Sequence, residues 1–199
     1  DSIFIERIYS LMTALLTAYI IVLLWKKITA KQYHRYAWLP VLFWINFPIL
    51  SWSVENNMLE NTMMIFTVLS VLFMLISLKK QRFLALFLSG VMIFLAFLTK
   101  GFVAWFPFVF PALIWLINKE IKFGRAVADT CISVLSFILP FIFLYFFWPE
   151  AISSIQKYIE VQVIGSIEHV QTVNSRFSID GHFAMQLLPI ILFMILIFF

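Results

Sequence analysis

Long apolar runs separated by short polar turns dominate the pattern of this chain. They lack the alternation of apolar and polar residues that a barrel strand shows, and their length favours helices. Six runs are complete, with approximate bounds at 8–25, 36–54, 60–78, 83–98, 102–117 and 126–148, and a seventh extends from Gln186 to Phe199. The pattern predicts an all-α, polytopic transmembrane bundle of about seven spans, because only helices and closed barrels satisfy the backbone inside lipid.

Prolines and short lengths distinguish three of these runs. The second contains Pro40 and Pro48 and is expected to be kinked or broken. The fourth and fifth are short for a bilayer core of roughly 30 Å, so this pair is expected to tilt inward or to be partly re-entrant. The two runs meet at Thr99-Lys100-Gly101, which leaves no room for a loop. We expect a tight turn there, with Lys100 close to Glu60 at the start of the third run.

Composition supports the same class of protein. Hydrophobic residues make up 63% of the 199 residues and charged residues only 12%, which exceeds what the interior of a soluble domain can accommodate. Residues 1–199 are therefore predicted to form a single transmembrane domain whose partner is the lipid bilayer. The net charge of +4 does not indicate nucleic-acid binding, because the basic residues fall in the short turns between apolar runs.

The distribution of charge predicts the orientation of the spans. Turns 26–36, 79–82 and 118–125 contain ten of the fourteen Lys and Arg residues but a single acid, Glu120. Eight of the ten acids fall in the opposite set of segments. The positive-inside rule therefore places the basic turns in the cytoplasm and the other set outside.

The longest polar segment, residues 149–185, is expected to form an extracytoplasmic loop. Pro149 and Glu150 are typical of a helix start. The residues that then follow on one helical face are Ile152, Ile155, Ile159 and Val163. Residues 150–164 are therefore predicted to form an amphipathic helix on the outer membrane surface, ending before Gly165.

Glu60 and Lys100 are the principal candidates for a polar site. If the third and fourth runs both cross the bilayer, a carboxylate and an ammonium group emerge on the same outer face. Each has a simpler interpretation: Glu60 could only complement the positive end of a helix dipole, and Lys100 could only extend to the interface. Thr99 and Gly101 around the lysine favour a shaped break in the helix, and hence a function.

A second candidate cluster lies just before the last apolar run. Arg176, Asp180 and His182 form a set suited to binding a phosphate group or a metal ion. His182 is the candidate metal ligand, but one histidine with one nearby acid is a sparse ligand set, so a hydrogen-bonding role in the loop is favoured. The cofactor is unknown, and a divalent metal ion is a candidate.

Three short motifs resemble one known family. They are Glu6-Arg7-Ile8-Tyr9-Ser10, Asn57-Met58-Leu59-Glu60-Asn61-Thr62 and Leu98-Thr99-Lys100-Gly101. Together they resemble the bacterial branch of the family 39 glycosyltransferases, which have the GT-C fold and include protein O-mannosyltransferases and the aminoarabinose transferase that modifies lipid A. The segment from Arg176 to Phe183 resembles the outer loop of the same family.

The resemblance implies an enzyme that moves a sugar from a polyprenyl-phosphate carrier to a lipid, glycan or protein acceptor. It implies a multi-pass protein of the bacterial inner (cytoplasmic) membrane, with its site facing the periplasm or exterior. Glu60, Lys100 and Arg176 would bind substrate, with the two cations on the donor phosphate. The family's catalytic acidic pair lies before the span that starts near Ile8, so we expect it upstream of Asp1 and expect this chain to be an internal portion of a longer protein.

Two other classes of function remain open at this stage. In a transporter or channel segment, Glu60, Lys100 and Asp129 would line a path, because charges within a membrane are usually functional. In a membrane scaffold, function would depend on none of them. A transport path requires accessible polar residues at mid-depth, whereas a transferase requires them only at the outer face.

The topology can be tested by labelling cysteines. In a protein whose native Cys131 has been replaced, cysteines are introduced at Gln81 and Ser166 and probed in intact cells with an impermeant thiol reagent. We expect labelling only at position 166, because the basic turns are predicted to be cytoplasmic. Labelling at position 81 alone would show that the spans have the opposite orientation.

Overall fold

The computed structural model describes residues 3–47, 50, 53–54, 56, 58–79, 81–117, 121–164, 185 and 188. In this part of the chain all regular structure is helical. The α-helices are α1 (Ile3–Ile28), α2 (Trp38–Ile45), α3 (Leu59–Ser77), α4 (Arg82–Lys100), α5 (Phe110–Ile117), α6 (Phe123–Phe147) and α7 (Pro149–Tyr158). Two 3-10 helices, Lys31–Tyr36 and Gly101–Val109, and a π-helix, Ile159–Ile164, complete the set.

Four helical stretches of the described chain are long and apolar enough to cross a membrane. They are Ile3–Ile28, Leu59–Ser77, Arg82–Ile117 and Phe123–Phe147. An all-helical, multi-pass membrane protein is therefore confirmed. In the second apolar run α2 ends at Ile45, and Asn46 and Phe47 after it are not helical, so the predicted break is present. The seventh run lies outside the described residues except for Leu188, and a count of about seven spans stays a prediction.

The stretch Arg82–Ile117 contains two antiparallel segments rather than one long helix. It reverses at Gly101, whose φ of 68° is easily adopted only by glycine. Pro111 and Ile114, beyond the turn, line the same small cavity as Leu86 near the start of α4. A continuous helix would separate these residues by roughly 40 Å, so the chain must fold back.

The returning segment is long enough to cross the membrane despite its few residues. Gly101–Val109 is a 3-10 helix, which rises about 2.0 Å per residue, and it continues into α5. Together they reach about 30 Å. Pro107 and Pro111 have no backbone N–H, which removes α-helical hydrogen bonds from this segment. The tilted or re-entrant arrangement expected from its length is therefore unnecessary.

Side-chain contacts define the order of the bundle. Helices α1 and α3 run parallel: Tyr9 meets Thr62 near their N-terminal ends, and Ile20 packs with Leu72 further along. Helix α4 is antiparallel to α3, and the first part of α6 runs parallel to α4. The contacts between α4 and α6 are Arg82 with Asp129, Phe94 with Phe137 and Phe94 with Phe141.

The helix interfaces are built largely from small and hydroxylated residues, whereas many large apolar side chains face outward. The buried serines and threonines of the long helices are Ser10, Thr13, Thr17, Thr67, Ser70, Ser77, Ser89, Ser133 and Ser136. Several satisfy their hydroxyl groups within their own helix; Thr17 Oγ1, for example, donates to the Thr13 carbonyl at 2.9 Å. Close packing of small residues is how helices associate in lipid, where burial of apolar surface gives no advantage.

Gly90 lies at a close contact between α4 and α6. A Cβ atom added at this position would lie 2.4 Å from the Ser133 carbonyl oxygen and 2.5 Å from Ser136 Cβ. One residue earlier, Ser89 shares a hydrogen bond of 2.8 Å with Ser70 of α3. Helix α4 is thus held between α3 and α6 by contacts that only small side chains permit.

Contacts divide the chain into two compact units, Asp1–Ile142 and Phe143–Phe199. In the second unit, α7 and the π-helix together cover the predicted amphipathic segment 150–164. Ile152 and Ile155 are half-buried, whereas Ser153 and Ser154 between them are exposed. The chain is therefore helical over this range, whereas an amphipathic helix on the membrane surface stays a prediction.

The packing at Gly90 predicts different results for two glycine-to-alanine substitutions. Gly90→Ala should destabilise the protein by about 1–3 kcal/mol, because the added methyl group meets backbone atoms of α6. That corresponds to a thermal midpoint lower by roughly 2–10 °C, measured on detergent-purified protein. Gly124→Ala is the matched control, because nothing lies within 4 Å of its added Cβ. Equal midpoints for the two variants would contradict the close contact.

Candidate substrate-binding site

The first turn of α3 positions Glu60 at one end of the bundle. Met58 is extended, so helical geometry begins at Leu59. Two hydrogen bonds between buried residues hold Ser53, which precedes the helix, against its first turn. Ser53 Oγ donates to Asn61 Oδ1 at 2.8 Å, and Asn61 Nδ2 donates to the Ser53 carbonyl at 3.0 Å. Glu60 lies next to this linkage and also complements the positive end of the helix.

The end of α4 positions Lys100. The Gly101 N–H donates to the Phe97 carbonyl, and the positive φ of Gly101 then turns the chain sharply. Thr99 Oγ1 donates to the Ala96 carbonyl at 2.6 Å, so this hydroxyl stabilises the last turn. Lys100 is therefore presented at a shaped break in the helix, as its flanking residues predicted.

Aromatic residues beyond the turn fix its direction. Phe97 lies 5.6 Å from Phe102 and stacks on Trp105 at 6.1 Å, measured between ring centroids. Trp105 also makes an edge contact with Phe137 of α6 at 6.0 Å. Such contacts contribute about 0.5–1.5 kcal/mol each beyond the area they bury. The backbone that carries Lys100 is consequently anchored to two neighbouring segments.

Glu60 and Lys100 form an ion pair between Glu60 Oε1 and Lys100 Nζ. The two groups are separated by the full lengths of α3 and α4, so the antiparallel pairing of these helices brings them together. The predicted proximity of Glu60 and Lys100 is confirmed. About a third of each side chain is exposed, 29% for Glu60 and 37% for Lys100, which leaves part of the pair accessible to a ligand.

A hydrogen bond between α1 and α3 completes this end of the bundle. Tyr9 Oη and Thr62 Oγ1 are 2.6 Å apart. Tyr9 and Thr62 belong to two of the motifs that resemble the family, but nothing in the sequence indicates that they are in contact. Ser53 was missed entirely, because a single serine before a turn carries no recognisable signal.

An apolar groove begins close to these polar contacts. It has a volume of about 320 Å³ and is lined by Leu11, Ala14, Leu15, Ala18, Trp44, Ile45, Leu50 and Val54. Leu11 lies two residues beyond Tyr9, and Val54 follows Ser53, so the groove starts roughly one helical turn from the polar end. An open apolar volume of this size suits part of a lipid chain.

Asp129 does not join Glu60 and Lys100 in a common path. It is 5% exposed and accepts a hydrogen bond of 2.7 Å from Arg82 Nε at the opposite end of α4. The nineteen residues of α4 separate the two ends by about 27 Å. The arrangement does not favour a transport path lined by these three residues.

The remaining predicted site residues, Arg176 and His182, lie outside the described residues, and so does Asp180. Within the described ranges no group of three or more His, Cys, Asp and Glu residues is arranged to hold a metal ion. The described residues therefore do not fit a metal site. A role for His182 in metal binding stays a prediction.

A double-mutant cycle tests whether the ion pair contributes to stability. Glu60→Gln and Lys100→Met should together cost less than the sum of the single changes, with a coupling of about 0.5–1 kcal/mol, because both groups are partly exposed and screened. Thermal stability of the purified protein is the measurement. Glu6→Gln with Lys100→Met is the control and should be additive, since Glu6 is an exposed acid in the first turn of α1. Additive effects in both cycles would contradict a stabilising pair.

Comparison with known proteins identifies the family. The family model described as dolichyl-phosphate-mannose-protein mannosyltransferase matches residues 4–162, which include both Glu60 and Lys100. No curated protein and no solved structure matches the chain. Members of the matching family are glycosyltransferases. The narrower assignment to the bacterial branch of family 39 stays a prediction. The family match itself shows that the chain belongs to the dolichyl-phosphate-mannose-protein mannosyltransferase family.

Proposed function

We propose that this chain is part of a membrane glycosyltransferase that moves a sugar from a polyprenyl-phosphate carrier to an acceptor at the outer face of a bacterial cytoplasmic membrane. Glu60 and Lys100 form part of its donor-binding site, together with Arg176. The observation that carries the proposal is the accessible ion pair between Glu60 and Lys100 in a chain of a glycosyltransferase family. The acceptor is a lipid, a glycan or a protein.

The chemistry of the donor matches the groups at this end of the bundle. A lipid-linked phosphosugar requires a cation for its phosphate and an apolar surface for its tail. The Lys100 ammonium has three N–H donors and can exchange its contact with Glu60 for contacts with phosphate oxygens. The groove beside α1 starts close to the same end and offers the apolar surface.

Lys100 has a direct role in the proposed reaction. During transfer the bond between the sugar carbon and the phosphate oxygen breaks, and the electron pair remains on the phosphate. Negative charge therefore grows on the phosphate as the acceptor oxygen bonds to the sugar. A fixed ammonium group beside the phosphate stabilises this charge more strongly in the transition state than in the ground state.

Glu60 acts in the proposal as a positioning residue. In the absence of donor it holds the Lys100 ammonium at the end of α4, which lowers the entropy lost when phosphate binds. The phosphate then competes with Glu60 for the same ammonium group. A carboxylate released from the pair can accept a hydrogen bond from a sugar hydroxyl. As the acceptor oxygen bonds to the sugar, its proton passes to a carboxylate that acts as general base.

Removing the charge of Lys100 tests the proposal. Lys100→Met should weaken donor binding about ten- to a hundredfold or abolish transfer, because a charge-assisted contact is worth about 1.5–3 kcal/mol. Lys100→Arg should restore activity only in part, since a planar guanidinium differs from a compact ammonium group. Arg176→Met should change donor binding in the same direction. The measurement is sugar transfer from a polyprenyl-phosphate donor by the purified full-length protein.

Lys26→Met is the matched control for this experiment. Like Lys100, Lys26 is a lysine in the last turn of a helix, but it is exposed and lies at the other end of α1 from Tyr9. It should leave the apparent donor constant unchanged. Thermal stability is followed for each variant to exclude misfolding. Normal transfer by a folded Lys100→Met protein would show that Lys100 is not part of the donor site. The lysine would then only extend its ammonium group to the membrane interface.

A further inference from the structure

A second polar cluster lies at the end of the bundle opposite Lys100. Arg82 opens α4, and its Nη2 atom lies 2.7 Å from Asp129 Oδ1. The same carboxylate oxygen accepts a hydrogen bond of 2.7 Å from Arg82 Nε. Arg125, one turn before Asp129 on α6, places its Nε atom 3.9 Å from Oδ2. Two guanidinium groups from different helices therefore face one buried carboxylate.

This cluster carries more positive than negative charge. Among the described residues, Asp129 is the carboxylate that faces the two guanidinium groups, and it neutralises one of them. Arg125 Nη2 donates to the Leu78 carbonyl at 3.3 Å, whereas its buried Nε atom forms no hydrogen bond with any described residue. A buried N–H without an acceptor is unusual in a folded protein. Within the described part of the chain, the cluster therefore has more N–H donors than acceptors.

The location of the two arginines matches the depth of lipid headgroups. Arg82 and Arg125 lie in the first turn of stretches long and apolar enough to span a membrane, and about a third of each side chain is exposed. Phe83 and Phe123, close to them in sequence, are 70% and 60% exposed. Exposed aromatic rings beside exposed cations suit acyl chains and a phosphate group of the same molecule.

We infer that Arg82 and Arg125 together bind the phosphate of an anionic phospholipid. The N–H groups of the two arginines that are directed neither at Asp129 nor at the Leu78 carbonyl supply donors for phosphate oxygens. Asp129 is a positioning residue: it holds both arginines beside each other before the lipid arrives. The exposed Lys79 and Lys122 add a weaker, nonspecific attraction. This site is separate from the proposed donor site at the other end of α4.

Lipid binding by the full-length protein tests this inference. Bound lipid is quantified by native mass spectrometry after exchange into detergent with phosphatidylglycerol or phosphatidylcholine. The wild-type protein should prefer phosphatidylglycerol, and Arg125→Gln should weaken that binding about tenfold, as expected for the loss of a charge-assisted contact. Arg125→Gln keeps the Arg82–Asp129 pair, so the fold should persist. Lys31→Gln, which removes an exposed charge from a different basic turn, should have little effect.

Asp129→Asn distinguishes a positioned site from general attraction to a basic surface. This substitution makes the protein more positive, so nonspecific attraction predicts tighter binding of phosphatidylglycerol. A site organised by Asp129 predicts weaker binding by a protein that remains folded. Equal binding of the two lipids, or equal effects of Arg125→Gln and Lys31→Gln, would overturn the inference. Stabilisation by millimolar inorganic phosphate as large as that by phosphatidylglycerol would assign the site to a soluble anion and overturn the choice of a lipid.

Discussion

The close approach of α4 to α6 at Gly90 is the constraint on which the rest of the bundle depends. In lipid, burial of apolar side chains gives helices little reason to associate, so attraction must come from close contact and from hydrogen bonds between helices. Gly90 allows the backbone of α6 to lie against α4, and the hydrogen bond between Ser89 and Ser70 holds α3 on another side. A larger residue in this layer would separate helices whose ends carry the paired charges. The alignment of those charges therefore depends on small side chains at the middle of the bundle.

The same packing explains why the charged chemistry is found at the two ends. In the middle of α4, Ser89 and Gly90 lie in close contact with α3 and α6. Its last residue, Lys100, meets Glu60 from the start of α3, and its first residue, Arg82, meets Asp129 from α6. One helix thus fixes both polar groups at a separation of about 27 Å. A binding event at one end need not disturb the other, and the two ends can serve different ligands.

The sequence predicted the helices and the principal pair, because both follow from local information. The apolar runs are long, and two consecutive spans necessarily return to the same side, which brings Glu60 close to Lys100. The pairing of Arg82 with Asp129 was not predicted, because it depends on which helices are neighbours and the two residues are 47 positions apart. The 3-10 geometry after Gly101 was also missed, since residue counts alone assume an α-helical rise. Hydrophobic periodicity also did not predict which residues are buried between helices, because positions that face lipid are as apolar as positions that pack against another helix.

Burial determines how the two clusters can respond to a ligand. An ion pair that is about one third exposed is screened by water and contributes little to stability, so a phosphate group can replace one partner at small cost. Glu60 and Lys100 are in this situation, which suits a site that must bind and release a substrate in every cycle. Asp129 is almost fully buried, and loss of its partner would leave an uncompensated charge, which is strongly destabilising. Its arginines are held in place, and the ligand they can accept is one that adds to the cluster without displacing the carboxylate.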